Sequence, residues 1–155
     1  MTGKCYENCF RKSIPKGVFF YRFRDGTSSW DNGSNTRFQA FNIADCELFY
    51  NNKLFILELK TTKGKSLPYK NIRKSQIEEL TKASMYKNII CGLVIDFSEL
   101  NECYFIKINQ FNEFINTSER ASIPIDYLRN NAVKVGVRLL RTNKRYNVSD
   151  ILEVE

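Results

Sequence analysis

Three residues carry the chemistry most directly readable in this chain. They are Asp45, Glu58 and Lys60, in the stretch NIADCELFYNNKLFILELKTTKGKSLPY. Two β-rich runs, about 43–50 and 53–60, flank Asn51-Asn52, and asparagine tolerates the positive φ that a two-residue hairpin turn requires. With that turn Tyr50 faces Lys53, and counting back along both strands sets Asp45 opposite Glu58. Directly opposed residues hold their Cβ atoms ~5 Å apart on one face, and Lys60, two residues beyond Glu58, points the same way. Two carboxylates that close repel unless a cation lies between them. A hard divalent ion such as Mg²⁺ takes one or two carboxylates together with water and substrate phosphate. It can polarise a phosphodiester and lower the pKa of a bound water, while a neighbouring ammonium orients that water or stabilises developing negative charge. These residue types therefore suit phosphodiester hydrolysis. They also suit an exposed sheet face with a cross-strand Lys–Glu pair, and the spacing alone does not separate the two.

The elements that would position this trio can be read along the chain. Tyr6, Cys9, Phe10 and Ile14 recur at helical spacing, which predicts a helix over 2–14, stopped by Pro15 and Gly17. VFFYRF (18–23) is β-rich, and its aromatic residues Phe19, Phe20, Tyr21 and Phe23 suit a core or a dimer interface. Residues 25–41 are dense in Gly, Ser, Asn and Asp and predict a long loop or protrusion. After the hairpin, Ser75 is placed to cap a helix over about 76–86, with Glu78 and Glu79 in its first turn. IICGLVID (89–96) is a nearly continuous apolar strand and should be central. ECYFIKI (102–108) predicts another strand, NQFNEFIN (109–116) a short helix, and SIPIDYLRNN (122–131) a helix with Pro124 near its start. This order predicts an α/β (or α+β) layer fold, one domain over 1–155, with a mixed sheet flanked by helices.

Composition narrows the function classes. The chain has 155 residues, 43% of them hydrophobic, enough for one domain with a real core. Its 24 basic and 17 acidic side chains leave a net charge of +7, which favours acidic partners, chiefly nucleic acid or an anionic surface. No apolar run approaches the ~20 residues of a spanning helix, and the polar, basic start MTGKCYENCFRKS lacks a signal-peptide core. A soluble, cytoplasmic protein without membrane association is expected. There is no histidine, which excludes a Ser-His-Asp triad or a Cys–His pair. The five cysteines, Cys5, Cys9, Cys46, Cys91 and Cys103, include no CxxC pair and are expected to be reduced and mostly buried.

The surroundings of the trio go further. DCELFYNNKLFILELKTTKGKSLPYKNIRKSQIEEL resembles the RecU family of Holliday junction resolvases, also called penicillin-binding protein-related factor A. The shared pattern is an Asp opening a strand (Asp45), then E-x-K (Glu58, Lys60). It continues with T-K-x-K-[ST]-x-P (Thr62, Lys63, Lys65, Ser66, Pro68) and, after a short connection, Q-I-E (Gln76, Ile77, Glu78). GKCYENCF resembles the family's first-helix motif, with Glu7 as its acidic residue. The resemblance implies a PD-(D/E)xK nuclease-like fold and a homodimer that resolves four-way junction DNA by paired nicks, working alongside recombination proteins in a bacterial or phage-infected cell. It also implies Asp45 and Glu58 as ligands of Mg²⁺, with Mn²⁺ as a substitute, Lys60 as the catalytic lysine, and Glu7 and Gln76 as supporting residues. A stalk that enters the junction centre would fall at 25–41. Two features depart from the family: Ile43 stands where members carry Thr, and within the stalk region only Arg37 adds to Arg24 at its base.

Among the remaining candidates, Lys63, Lys65, Lys70, Arg73 and Lys74 follow the catalytic strand and suit phosphate contact along a junction arm. Arg37 and Trp30 lie in the loop, where Trp30 could stack on an unpaired base or anchor the loop to the core. Arg138, Arg141, Lys144 and Arg145 form a second basic group that fits DNA contact and a solvated face equally. Three functional classes remain: a junction-resolving nuclease, a related nuclease cutting duplex or flap DNA, and an inactive junction-binding accessory protein.

Overall fold

The computed structural model describes residues 1–24 and 41–155. The predicted loop, with Trp30 and Arg37, therefore lies outside the described residues apart from Phe41. Helix α1 (Gly3–Arg11) opens the chain, capped by Thr2, whose hydroxyl accepts from the Cys5 N–H. It ends at Lys12, short of the expected 14, because the chain turns at 12–14 before Pro15.

Strand β1 (Phe19–Arg22) follows, then β2 (Cys46–Tyr50) and β3 (Lys53–Thr62). The β2–β3 turn is the expected one: Asn51 and Asn52 take φ of 48° and 59°, and Tyr50 pairs with Lys53. Two successive positive φ values match the twist of the flanking strands, and asparagine adopts them at little cost. The pairing runs without a slip to Cys46 opposite Leu57.

After β3 come the short strand β4 (Ser66–Pro68), a single 3-10 turn, and helix α2 (Lys74–Ala83). This helix begins earlier than the Ser75 cap predicts. Arg73 takes the cap position without a side-chain bond, and its carbonyl accepts from Gln76 and Ile77. Ser75 thus sits inside the first turn, and Glu78 and Glu79 lie beyond it. Strand β5 (Ile89–Phe97) then runs parallel to β3, and β6 (Glu102–Lys107) returns antiparallel to it.

Helix α3 (Ile108–Thr117) precedes β7 (Ser122–Pro124), which pairs with β4, and helix α4 (Ile125–Asn131). The single helix expected over 122–131 is therefore split. The residue before a proline disfavours the helical region, so Ser122 and Ile123 stay extended, and Pro124 becomes the helix cap. Strand β8 (Val133–Val135) completes the main sheet. The hairpin β9 (Val137–Leu139) and β10 (Lys144–Tyr146) and helix α5 (Ser149–Leu152) follow.

The main sheet has six strands in the order β1-β2-β3-β5-β6-β8, with β3/β5 the parallel pair. This confirms a mixed α/β layer with β5 central. Alternate residues of β3 and β5 feed two cores. Leu57, Leu59 and Val94 face α1 and the chain's last segment, with Tyr6, Phe10, Tyr146 and Ile151. Ile56, Leu93, Ile95 and Phe97 face α2, α3 and α4, with Leu80, Phe111 and Leu128. The cysteines are free thiols, all buried except the half-buried Cys5.

The aromatic run on β1, expected in a core or at a dimer interface, divides between the two faces of the strand. Phe20 packs against the α1-side core, but Phe19 and Tyr21 are exposed on the edge strand. Gly92, mid-β5, fixes how closely β6 can approach. A Cβ there would stand 2.2 Å from the Ile106 carbonyl oxygen and 2.6 Å from the Phe105 ring. Gly92→Ala should therefore destabilise the protein by about 1–3 kcal/mol through overpacking, measured as a lower denaturant midpoint in chemical unfolding.

Candidate active site

Asp45 sits one residue before β2, where the backbone ladder ends. Its N–H donates to the Leu57 carbonyl and its carbonyl accepts from Phe23, which ties it to both neighbouring strands. Its side chain then replaces the missing strand: Oδ2 accepts from the Leu59 N–H at 2.7 Å. The sequence register placed Asp45 beside Glu58, and the structure agrees, with a carboxylate standing in for the next rung.

Glu58 lies in the middle of β3 and is only 1% exposed. Gln76, from the first turn of α2, donates to its Oε2 at 2.9 Å. Lys60 Nζ lies 2.7 Å from Oε1. That contact is a close, charge-assisted ion pair, so each oxygen of the buried carboxylate has a polar partner. Without such partners a carboxylate buried this deeply would be costly. Burial, and after it the charge of Asp45, raise the Glu58 pKa to about 7, against the opposing pull of Lys60 and Gln76. The Cys46 thiol, buried on the other face, is pushed well above its usual value, first by desolvation and then by the charges of Asp45, Glu58 and Glu7. All three acids thus bear on one point of the sheet.

Their roles differ. Glu58, Lys60 and Gln76 are in direct contact, with Asp45 anchored beside them. Glu7 is held on the α1 side by Arg22, 2.6 Å away. Gln76 is the clearest gain over the sequence reading. A glutamine at a helix start ordinarily faces solvent, and here it is buried at 9% exposure with its amide on the central carboxylate. Ile43, noted above as a departure from the family pattern, packs against the α2-side core. Lys63, Lys65, Lys70, Arg73 and Lys74 are exposed along the segment leaving β3, and among the described residues their only ion-pair contact is a long 4.0 Å one from Lys74 to Glu78.

Lys144 corrects the second basic group. It is buried, donating to the Ser98 carbonyl at 3.0 Å and standing 3.5 Å from Asp96 Oδ1. A desolvated ammonium needs such partners, so Lys144 is not available to DNA. Asp96 is itself fully buried and also accepts from Tyr146 at 3.1 Å and Thr61 at 3.2 Å. The sequence reading missed this network, although a charged residue ending the apolar run IICGLVID was its signal.

Asp45 and Glu58 are the candidate metal donors. Among the described residues, no group of three or more His, Cys, Asp or Glu is placed to share an ion. A carboxylate pair of this kind fits a hard, largely hydrated cation and does not fit an all-protein zinc cage.

A mixed sheet with an Asp at one strand end and Glu-x-Lys on the next, flanked by helices, defines a protein of the PD-(D/E)xK nuclease fold. In agreement, the fold is similar to that of Archaeoglobus fulgidus Hjc, a Holliday junction resolvase from an archaeal hyperthermophile. The TM-score is 0.50 at 11% identity, over 76% of this chain and 83% of that one. The chain belongs to the RecU family, described as recombination protein U, which it matches over residues 18–146. It is 37% identical over 123 residues to the SPbeta prophage-derived uncharacterized protein YotM of Bacillus subtilis, covering 76% of this chain and 62% of that protein. It is 31% identical over 96 residues to the Holliday junction resolvase RecU of Streptococcus agalactiae, covering 61% of this chain and 48% of that protein. The chain thus spans roughly half to three-fifths of the length of these curated relatives.

The pH dependence of stability follows from Glu58. Its folded pKa, about 7, lies above the ordinary 4.5, so the folded state favours the protonated acid. That stability is fully present below about 4.5 and is lost as the pH rises through about 7. Metal-free protein should lose on the order of 1–3 kcal/mol between pH 5 and 8. Urea unfolding at successive pH values should show a clearly flatter profile for Glu58→Gln.

Proposed function

We propose that this chain is a metal-dependent endodeoxyribonuclease that resolves four-way DNA junctions by paired symmetric nicks. The observation that carries the reading is the buried Glu58 carboxylate, gripped by Lys60 and Gln76 beside the anchored Asp45, in a chain of the RecU family. The resolvase named among its relatives supports the substrate.

Asp45 and Glu58 would hold Mg²⁺, with Mn²⁺ as a substitute. The carboxylate pair, with Glu58 raised by the charge of Asp45 beside it, is the kind of donor set whose repulsion a cation would relieve. When bound, the ion supplies a polarised phosphodiester and a water of lowered pKa. The protein's own groups do the positioning. Gln76 fixes the orientation of Glu58, and the Leu59 N–H fixes that of Asp45. Lys60, 22% exposed in its side chain, is within reach of both the buried carboxylate and solvent. There it can orient the attacking water or stabilise charge on the phosphate oxygens. Glu7, paired with Arg22, acts at a distance through charge. Lys63, Lys65, Lys70, Arg73 and Lys74 form the adjoining phosphate-contact segment. Paired nicks require two sites, and the exposed Phe19, Tyr21 and Phe49 on one face of the edge strands suit a second copy of the chain.

A synthetic four-way junction and a linear duplex, each incubated with Mg²⁺ or with EDTA, test the proposal. Symmetric nicks on the junction alone, abolished by EDTA, are expected. Preferential cutting of the duplex would select a different nuclease, and binding without cleavage under any divalent ion would select an accessory protein. Asp45→Asn should lower the cleavage rate by roughly 10²-fold or more with its circular dichroism spectrum unchanged; persistent cleavage would remove Asp45 from the site.

A further inference from the structure

The segment VKVGVRLLRTNKRY carries three arginines and two lysines in a short span. The structure sorts the hairpin's basic residues by the period of a strand. On β10, Lys144 and Tyr146 point inward and hold Asp96, while Arg145, between them, points outward. The hairpin is pinned further where Ser13 Oγ accepts from the Tyr146 N–H, 3.0 Å away, and the Gly136 carbonyl from the Asn147 N–H, 2.7 Å away. The outward residue opposite Arg145 on β9 is Arg138. Two like charges directly opposed on neighbouring strands destabilise a hairpin. A solvated surface gains nothing from this placement, whereas a site for an anion does.

Three further observations point to such a site. Arg138 and Arg145 line an open cleft of ≈ 530 Å³ with Lys12 from the end of α1, so a third cation faces the same space. Among the described residues, no carboxylate pairs with Lys12, Arg138, Arg141 or Arg145. Asp150 adjoins the cleft, but its oxygens accept from the Gly136 N–H and the Asn147 amide. The hairpin also stands at the same end of the sheet as the candidate site, on the opposite face. Its anchor Asp96 is the strand partner of Thr61, the residue after Lys60.

We propose that the β9–β10 hairpin, with Lys12, is a second DNA-backbone clamp, distinct from the lysine-rich segment that follows β3. It rests on the reading of DNA as the substrate. Guanidinium forks match phosphate oxygens in shape and charge, and a bridging phosphate would relieve the Arg138–Arg145 repulsion. Leu139 and Leu140 are exposed beside Arg138 and Arg141, which makes an anionic lipid surface the competing partner.

The test is fluorescence anisotropy of a labelled four-way junction in EDTA across a range of salt, with wild type and Arg138→Ala/Arg145→Ala. Loss of two phosphate contacts should reduce the slope of log K against log salt by about 2 and weaken binding about 10-fold or more near 0.1 M salt. Arg138→Lys/Arg145→Lys should retain most of the slope. The melting temperature of the alanine variant should be unchanged or raised, since a repulsion is removed; if it fails to fold, the single variants Lys12→Ala and Arg138→Ala carry the same measurement, each lowering the slope by about 1. An unchanged slope and affinity, in a protein whose wild type binds the junction, would overturn the clamp and leave the nuclease reading standing. So would loss of binding confined to phosphatidylserine-containing vesicles. A wild type that binds no DNA at all would overturn both.

Discussion

The carboxylate of Glu58 is buried in the middle of the longest strand, and much of the surrounding structure answers to that burial. A lone ionised acid in such a place would be expelled or protonated. Here an ammonium comes from two residues along the same strand and an amide from the first turn of α2. Helix α2 must therefore bring its amino-terminal turn against β3. The short β4–β7 pairing and the 3-10 turn between β3 and α2 form the connection that takes it there. Asp45 adds a second negative charge beside it. It is tolerated because the Leu59 N–H, released where the ladder ends, bonds its carboxylate. The local arrangement resembles a poised electrostatic cradle in which favourable partners nearly, but not fully, offset the cost of desolvation.

The two faces of the sheet divide the work. Residues of even number on β3 meet α2 and include the candidate site residues Glu58 and Lys60, while Leu57, Leu59 and Thr61 face α1 and the last segment of the chain. On that second face Asp96 gathers Thr61, Lys144 and Tyr146, and Tyr6 donates to the Val94 carbonyl nearby. Tyr6 and Tyr146 meet edge to face at 5.2 Å. This polar cluster joins the first helix and the β9–β10 hairpin to β5, the strand beside β3. A partly satisfied version would be worse than an apolar core, and here each of Asp96's oxygens has a partner.

What the sequence revealed depended on the range of the interaction. Asp45, Glu58 and Lys60 were legible because strand alternation and a two-residue turn make register a matter of counting. The parallel β3–β5 centre was legible from an unbroken apolar run. Gln76 was not legible from its own surroundings, because its partner lies 18 residues away on another element and helical periodicity carries no trace of it; the family resemblance alone singled it out. Lys144 was misread for a related reason. Basic residues are counted as surface unless an acid is known to face them, and Asp96 is 48 residues distant. The exposed Phe19 and Tyr21 show the converse, since an aromatic β-run looks like core whether or not a helix covers it. Helix starts erred by a turn or less because caps act through backbone geometry that Ser75 and Pro124 only partly specify.

Asn51 and Asn52 stand at the far end of the hairpin from Asp45 and Glu58, yet they act as the site's ruler. Side chains alternate faces along a strand, so one residue more or less in that turn would slip every pair beyond it and send one of the two acids to the opposite side of the sheet. Both positions hold a positive φ, so the turn favours Asn or Gly there. Its length is another matter. Between Asp45 and Glu58, an insertion or deletion is a change to the candidate site made from a distance. The spacing of the two acids should therefore be among the least elastic intervals in the chain.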